Sequence, residues 1–188
     1  HPETGVSLEA LELAIEQWPI KAIQVTPTCN NPLGYSMPDE HKKRLVEIAK
    51  THDIAVIEDD VYGELSYQYP RPRTIKSYDD DGRVLLCTSF SKTLAPGVRV
   101  GWVAPGRYGE QVLRMKYVST AASATLPQLA VAEFVAQGGY EKPLRKMRMQ
   151  YHRGRDRMME WVERYFPENT RMSFPQGSFL LWVEFPEG

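Results

Sequence analysis

The sequence predicts an α/β fold whose sheet is mostly parallel with one antiparallel strand. Short apolar, β-branched runs alternate with amphipathic helical stretches, the pattern of strand, helix, strand units joined by right-handed crossovers. The runs empty into loops rich in turn and hydroxyl residues. Only a short loop joins the run Val84 to Thr88 to the run Val100 to Ala104. A parallel crossover needs a dozen residues or more, so the second of these strands runs antiparallel to its neighbours.

Each element has a local cause. Leu8, Leu11, Ile15 and Trp18 fall at helical spacing after Ser7, a suitable N-cap, and Pro19 stops the pattern. Ile20 to Thr26 (IKAIQVT) is a strand, and Pro27 to Gly34 is a loop of turn residues. Ser36 and Pro38 open a helix to about Thr51, with Leu45, Ile48 and Ala49 inward. Ile54 to Glu58 (IAVIE) is a second strand, ending at Asp59-Asp60. Arg107 to Gln137 reads as mostly helical with a break at Pro127, and Gly138-Gly139 marks a stop. Leu144, Met147, Tyr151, Gly154, Met158, Trp161 and Tyr165 form one apolar stripe of a long helix that Pro167 ends. Phe179 to Phe185 (FLLWVEF) reads as a strand after a turn at Pro175 to Ser178.

A net charge of −1 gives no overall basic footprint for nucleic acid. The one basic cluster, Lys142 to Arg157, reads best as the solvated face of the long helix. The longest apolar runs are far short of a bilayer span, and no charged-then-apolar leader is present, so no membrane is expected. Cys29 and Cys87 are too few for a disulfide framework, which fits a cytoplasmic setting, and the histidines show no metal-ligand spacing. With 188 residues, a start at His1 in the turn-rich HPETG and a stop directly after a strand-like run, the chain is expected to be part of a longer protein.

The chemistry concentrates in Val84 to Val103. An apolar run empties into Ser89-Phe90-Ser91-Lys92, and Arg99 follows before a second apolar run. Hydroxyls and an anion-binding arginine beside one lysine suggest a phosphorylated small molecule held by its phosphate and attacked by an amine. Pyridoxal 5′-phosphate fits, because proteins hold it through a lysine Schiff base. In parallel sheets ligands bind beyond the carboxyl ends of the strands, and Asn31, Asp59 and Ser89 to Lys92 all follow strand ends.

The stretch resembles the lysine motif of the fold-type-I, class I/II aminotransferases, S-x-S-K followed by P-G-x-R-x-G. Here it stands as Ser89-Phe90-Ser91-Lys92 and Pro96-Gly97-Val98-Arg99-Val100-Gly101. The resemblance implies a three-layer PLP-dependent transferase-like fold and an internal aldimine on Lys92. It assigns Ser89, Ser91 and Arg99 to the cofactor phosphate. The family's D-x-x-Y is matched by Asp59 to Tyr62, which implies Asp59 on the pyridinium nitrogen and Tyr62 on the 3-oxygen; Asp60 receives no role. N-P-T-G is matched at Asn31-Pro32-Leu33-Gly34 with Leu33 in place of threonine, and Asn31 shares the 3-oxygen. The family's ring-stacking aromatic, upstream phosphate loop and substrate-carboxylate arginine have no counterpart within the chain.

The resemblance further implies residues 1–139 as the C-terminal part of a large cofactor domain and 140–188 as a connecting helix and the start of a smaller α+β domain. It implies a homodimer and an amino acid or 2-oxo acid as the small-molecule partner. The wording of Glu58 to Gly63, of Ser89 to Gly97 and of Tyr140 to Arg148 (YEKPLRKMR) is most similar to the aminotransferase-like domain of MocR-type regulators of the GntR family. There DNA is bound by a separate winged helix outside this chain, and the cofactor domain senses an effector. The alternative is a free-standing aminotransferase, so whether the parent is an enzyme or a sensor stays open.

Overall fold

The computed structural model describes residues 3–186, so the first two residues of the turn-rich opening and the last two residues of the chain lie outside it. A four-stranded sheet runs β1 (Ala22–Val25), β2 (Ala55–Asp59), β3 (Val84–Ser89), β4 (Gly101–Ala104), with neighbours in sequence also neighbours in space. β1, β2 and β3 are parallel, and β4 pairs antiparallel to β3 at the sheet edge, as the short connection requires.

Helix α1 (Leu8–Gln17) is capped by Ser7, whose Oγ accepts the Ala10 N–H at 3.2 Å. Helix α2 (Asp39–Thr51) buries Leu45, Ile48 and Ala49. Ile23, Val56 and Val84 are in register across three strands, so their side chains share one face. That face packs on α1 and α2, and each fully buried aliphatic contributes roughly 1.5–3 kcal/mol. Trp18 does not join this core: it is the C-cap of α1 and stays exposed.

Two polar groups are buried within the same layer. Lys42 reaches from α2 to donate to the Arg73 carbonyl at 2.6 Å. The Glu58 carboxylate accepts the Ile75 and Lys76 N–H groups, each at 2.8 Å, and so anchors the 3-10 turn Ile75–Tyr78.

Helices α3 (Gly109–Thr120), α4 (Thr125–Ala136) and α5 (Glu141–Tyr165) follow, then a two-stranded ribbon of β5 (Arg171–Met172) and β6 (Val183–Glu184). Three sequence expectations are corrected. The break between α3 and α4 falls at 121–124, and Pro127 sits in the first turn of α4, where a missing N–H costs nothing. The expected strand 179–185 shrinks to Val183–Glu184; Phe179 instead turns inward toward Tyr62 and Tyr151. The apolar stripe of α5 is half used: Leu144 is buried and Met147 and Tyr151 pack beside it, whereas Gly154, Met158, Trp161 and Tyr165 are exposed. Among the described residues no helix is long and apolar enough to cross a membrane.

Candidate functional site

Because β1, β2 and β3 are parallel, their following loops emerge at one edge of the sheet, and β4, running back, starts from that edge. Asn31, Asp59, Tyr62, Ser89, Ser91, Lys92 and Arg99 all sit in or beside these connections.

Ser89, Ser91 and Arg99 are in direct contact. Ser89 ends β3; its Oγ lies 3.0 Å from Ser91 Oγ and 3.3 Å from the Val100 carbonyl, and it accepts the Ser91 N–H at 3.1 Å. Arg99 Nη1 donates to Ser91 Oγ at 3.1 Å. Arg99 has φ +50°, left-handed for a side chain that gains nothing from it, at a cost of about 1–2 kcal/mol. The guanidinium reaches the Ser91 hydroxyl, which itself meets Ser89, and the three side chains together make a cationic cup.

Tyr62 and Lys92 form a second contact, with Lys92 Nζ 6.0 Å from the Tyr62 ring centre. Lys92 is exposed and Tyr62 is buried, and the Tyr62 hydroxyl makes no hydrogen bond among the described residues. Asp59 ends β2 and pairs in register with Cys87. Its Oδ1 accepts the Val61 N–H at 3.2 Å, which leaves its second oxygen available. Burial pushes the Cys87 thiol up, and Asp59 beside it adds to the shift, so this cysteine stays protonated at neutral pH. Asn31 stands apart: it is exposed in the 31–33 turn, and its side chain makes no hydrogen bond to the other six among the described residues.

The two adjacent aspartates part company here. Asp60 is 4% exposed and puts both carboxylate oxygens on Arg71 Nη2, at 2.6 and 2.7 Å. Burial pushes its carboxyl up, and the Arg71 fork pulls it back down. Sequence reasoning gave Asp60 no role and missed Arg71 altogether, since a partner eleven residues downstream in a proline-rich loop leaves no local signature. Thr93, next to Lys92, was also missed: it is 4% exposed and sits beside Tyr140. It lines a cavity of about 350 Å3 with Ser89, Phe90, Asp60, Arg71 and Tyr140. The basic cluster on α5 divides as well: Lys142, Lys146, Arg153 and Arg157 are exposed, but Arg148 and Arg155 turn inward, onto Glu64 and the Pro175 carbonyl.

The sheet edge therefore offers an anion cup, a primary amine, a partly unengaged carboxylate and an unengaged phenol, the donor set of a site for a phosphorylated aromatic aldehyde.

Several known proteins resemble this chain over nearly its whole length. The HTH-type transcriptional regulator YjiR of Escherichia coli (strain K12) is 55% identical over 186 residues, covering 99% of this chain and 40% of that protein. The kynurenine aminotransferase of Pyrococcus horikoshii, solved in complex with PMP, superposes with a TM-score of 0.91 at 33% identity, over 99% of this chain and 48% of that one. LysN, the α-aminoadipate aminotransferase of Thermus thermophilus, solved with N-(5′-phosphopyridoxyl)-L-leucine, gives 0.90 at 27% identity, over 99% and 49%. The chain thus spans less than half the length of each of these proteins. Residues 1–188 match the family of aminotransferases of class I and II throughout, and the chain belongs to that family.

Proposed function

We propose that this chain is the pyridoxal 5′-phosphate-binding, effector-sensing aminotransferase-like domain of a GntR/MocR-type transcriptional regulator. The observation that carries the cofactor assignment is the Ser89, Ser91, Arg99 cup at the same sheet edge as Lys92, Tyr62 and Asp59. Bound there, the cofactor supplies an electron sink for bonds broken at the α-carbon of an amino acid. Arg99 and the two serine hydroxyls would hold the phosphate, a task that the planar fork of an arginine suits. Lys92 Nζ would hold the aldehyde carbon covalently and, as a free amine, is the base this chain offers for the α-proton. Asp59 keeps a proton on the ring nitrogen through its second oxygen. Tyr62 directs its unengaged hydroxyl to the 3-oxygen, and Asn31 shares that atom, a role that rests on the family resemblance.

The regulator reading draws on YjiR, which at 55% identity is more similar in sequence than the two aminotransferase structures compared above, at 33% and 27%. In this reading residues 1–139 complete a large domain, α5 connects it to a smaller one beginning within 140–188, and DNA is bound by a segment outside the chain. The parent is a cytoplasmic homodimer whose effector is an amino acid or 2-oxo acid. The second reading, a free-standing aminotransferase, is favoured by the structural superpositions.

Borohydride reduction of the cofactor-loaded full-length protein followed by peptide mapping tests the site. A phosphopyridoxyl group on Lys92 is expected, and one on another lysine refutes the assignment. Amino acids that alter DNA binding without sustained turnover decide for the sensor; steady transamination with a 2-oxo acid decides for the enzyme.

A further inference from the structure

Tyr62 is bracketed by two residues whose side chains belong to one partly buried ionic chain. Asp60 binds Arg71 Nη2, Arg71 Nη1 donates to Glu64 Oε1 at 2.7 Å, and Arg148 Nη2 donates to Glu64 Oε2 at 3.0 Å. Arg148 also donates through Nε to the Glu64 carbonyl at 2.6 Å, so it grips that residue by side chain and main chain together. Charges alternate along the chain, two carboxylates and two guanidinium groups, so it is neutral as a whole. Its four side chains range from 5% to 35% exposed.

The turn it encloses is closed by Gly63 N–H to the Asp60 carbonyl at 3.1 Å and by Leu65 N–H to the Tyr62 carbonyl at 2.8 Å. Residues 60 and 64 are thus fixed on either side of Tyr62, and the far anchor is a residue of α5. A second path runs alongside through rings: Tyr151 of α5 touches Phe179 at 5.2 Å, and Phe179 meets Tyr62 edge-on at 6.0 Å.

We propose that Arg148 is a positioning residue: acting through Glu64 and Arg71, it sets the Tyr62 hydroxyl relative to Lys92, so that α5 and the Lys92 site move together. The inference rests on the reading of Lys92 as cofactor carrier. It gives a displacement of α5 a physical route to the site, because the members of a hydrogen-bonded ionic network are energetically coupled.

The test uses the cofactor-loaded full-length protein and the pH midpoint of its visible absorption band. Tyr62→Phe, which removes the hydroxyl from the ring oxygen, should raise that midpoint. Arg148→Gln should raise it in the same direction by about 0.5 unit or more, roughly threefold in proton affinity. The double variant should match Tyr62→Phe alone, because the two act on one group. Arg148→Lys keeps the charge but loses the planar fork, so it should shift the midpoint by a smaller amount. An Arg148→Gln midpoint equal to wild type, even with a lower melting temperature, overturns the proposal, as does a shift that adds in full to that of Tyr62→Phe. If Arg148→Gln does not fold, an unshifted Arg148→Lys midpoint overturns it equally. A wild-type protein with no visible band removes the Lys92 reading and this inference with it, whereas a wild-type band with unshifted Arg148 variants removes the inference alone.

Discussion

A single methyl group at Gly63 should cost the fold about 2–3 kcal/mol. The residue lies in a 3-10 turn with ordinary negative φ, so backbone strain does not explain its lack of a side chain. Space does: a Cβ there would overlap both Arg71 Nη2 and Asp60 Oδ1. The Arg71 fork lies across the bare Cα, and Gly63→Ala must push it off. Asp60, with a side chain 5% exposed, is then left without its cation. Removing one partner of a buried pair costs about 3–5 kcal/mol. Arg71 is a quarter exposed, so water makes up part of the loss, and the lower end applies. Alanine returns up to about 1 kcal/mol through its better helical propensity. The measurement is the urea midpoint of wild type and variant at constant slope. Arg71→Ala should cost a similar amount, and the double variant little more than either single one, since both break the same pair. A Gly63→Ala loss under about 0.5 kcal/mol would refute the packing argument.

Two further changes probe other parts of the fold. Gly154 is exposed in the middle of α5 with open space around its Cα, so Gly154→Ala should stabilise by about 0.5–1 kcal/mol, read as a rise in urea midpoint. Burial pushes Glu58 from 4.5 up to about 7, against the pull of its two backbone N–H bonds. The folded state therefore binds the Glu58 proton more tightly than the unfolded chain, and the stability this gives is complete below pH 4.5 and lost as pH rises toward 7. Between pH 5 and 8 the wild type should lose about 2–3 kcal/mol more than Glu58→Gln in parallel urea titrations. Equal slopes in the two proteins would place the Glu58 titration elsewhere.

What the sequence made legible was local or periodic. The four sheet strands, the reversal at β4 and the inner face of α2 follow from apolar runs and loop length, and the Ser89 to Lys92 and Arg99 cluster could be found because it is contiguous. Phe179 to Phe185 failed for a physical reason: an apolar run looks the same whether its side chains pair across a sheet or fill a gap between α5 and the Tyr62 turn. Pro127 misled because a proline marks a helix start as readily as a break. Arg71 and Arg148 were invisible because ion pairs that join distant segments have no sequence period. Arg148 in particular was grouped with solvated neighbours on α5 that differ from it only in which way they face.

Because β3 turns straight back into β4, the Ser89, Ser91 and Arg99 cluster is closed by one short loop, and its closure entropy is small. Asp59 reaches the same edge only after a whole strand, helix, strand crossover has formed, which is the slower kind of contact. The two ends of the site accordingly have separate folding histories. The anion cup can assemble from a local hairpin, and the ring end waits for the parallel sheet. Core lesions in α2 such as Leu45→Ala should delay the second while sparing the first.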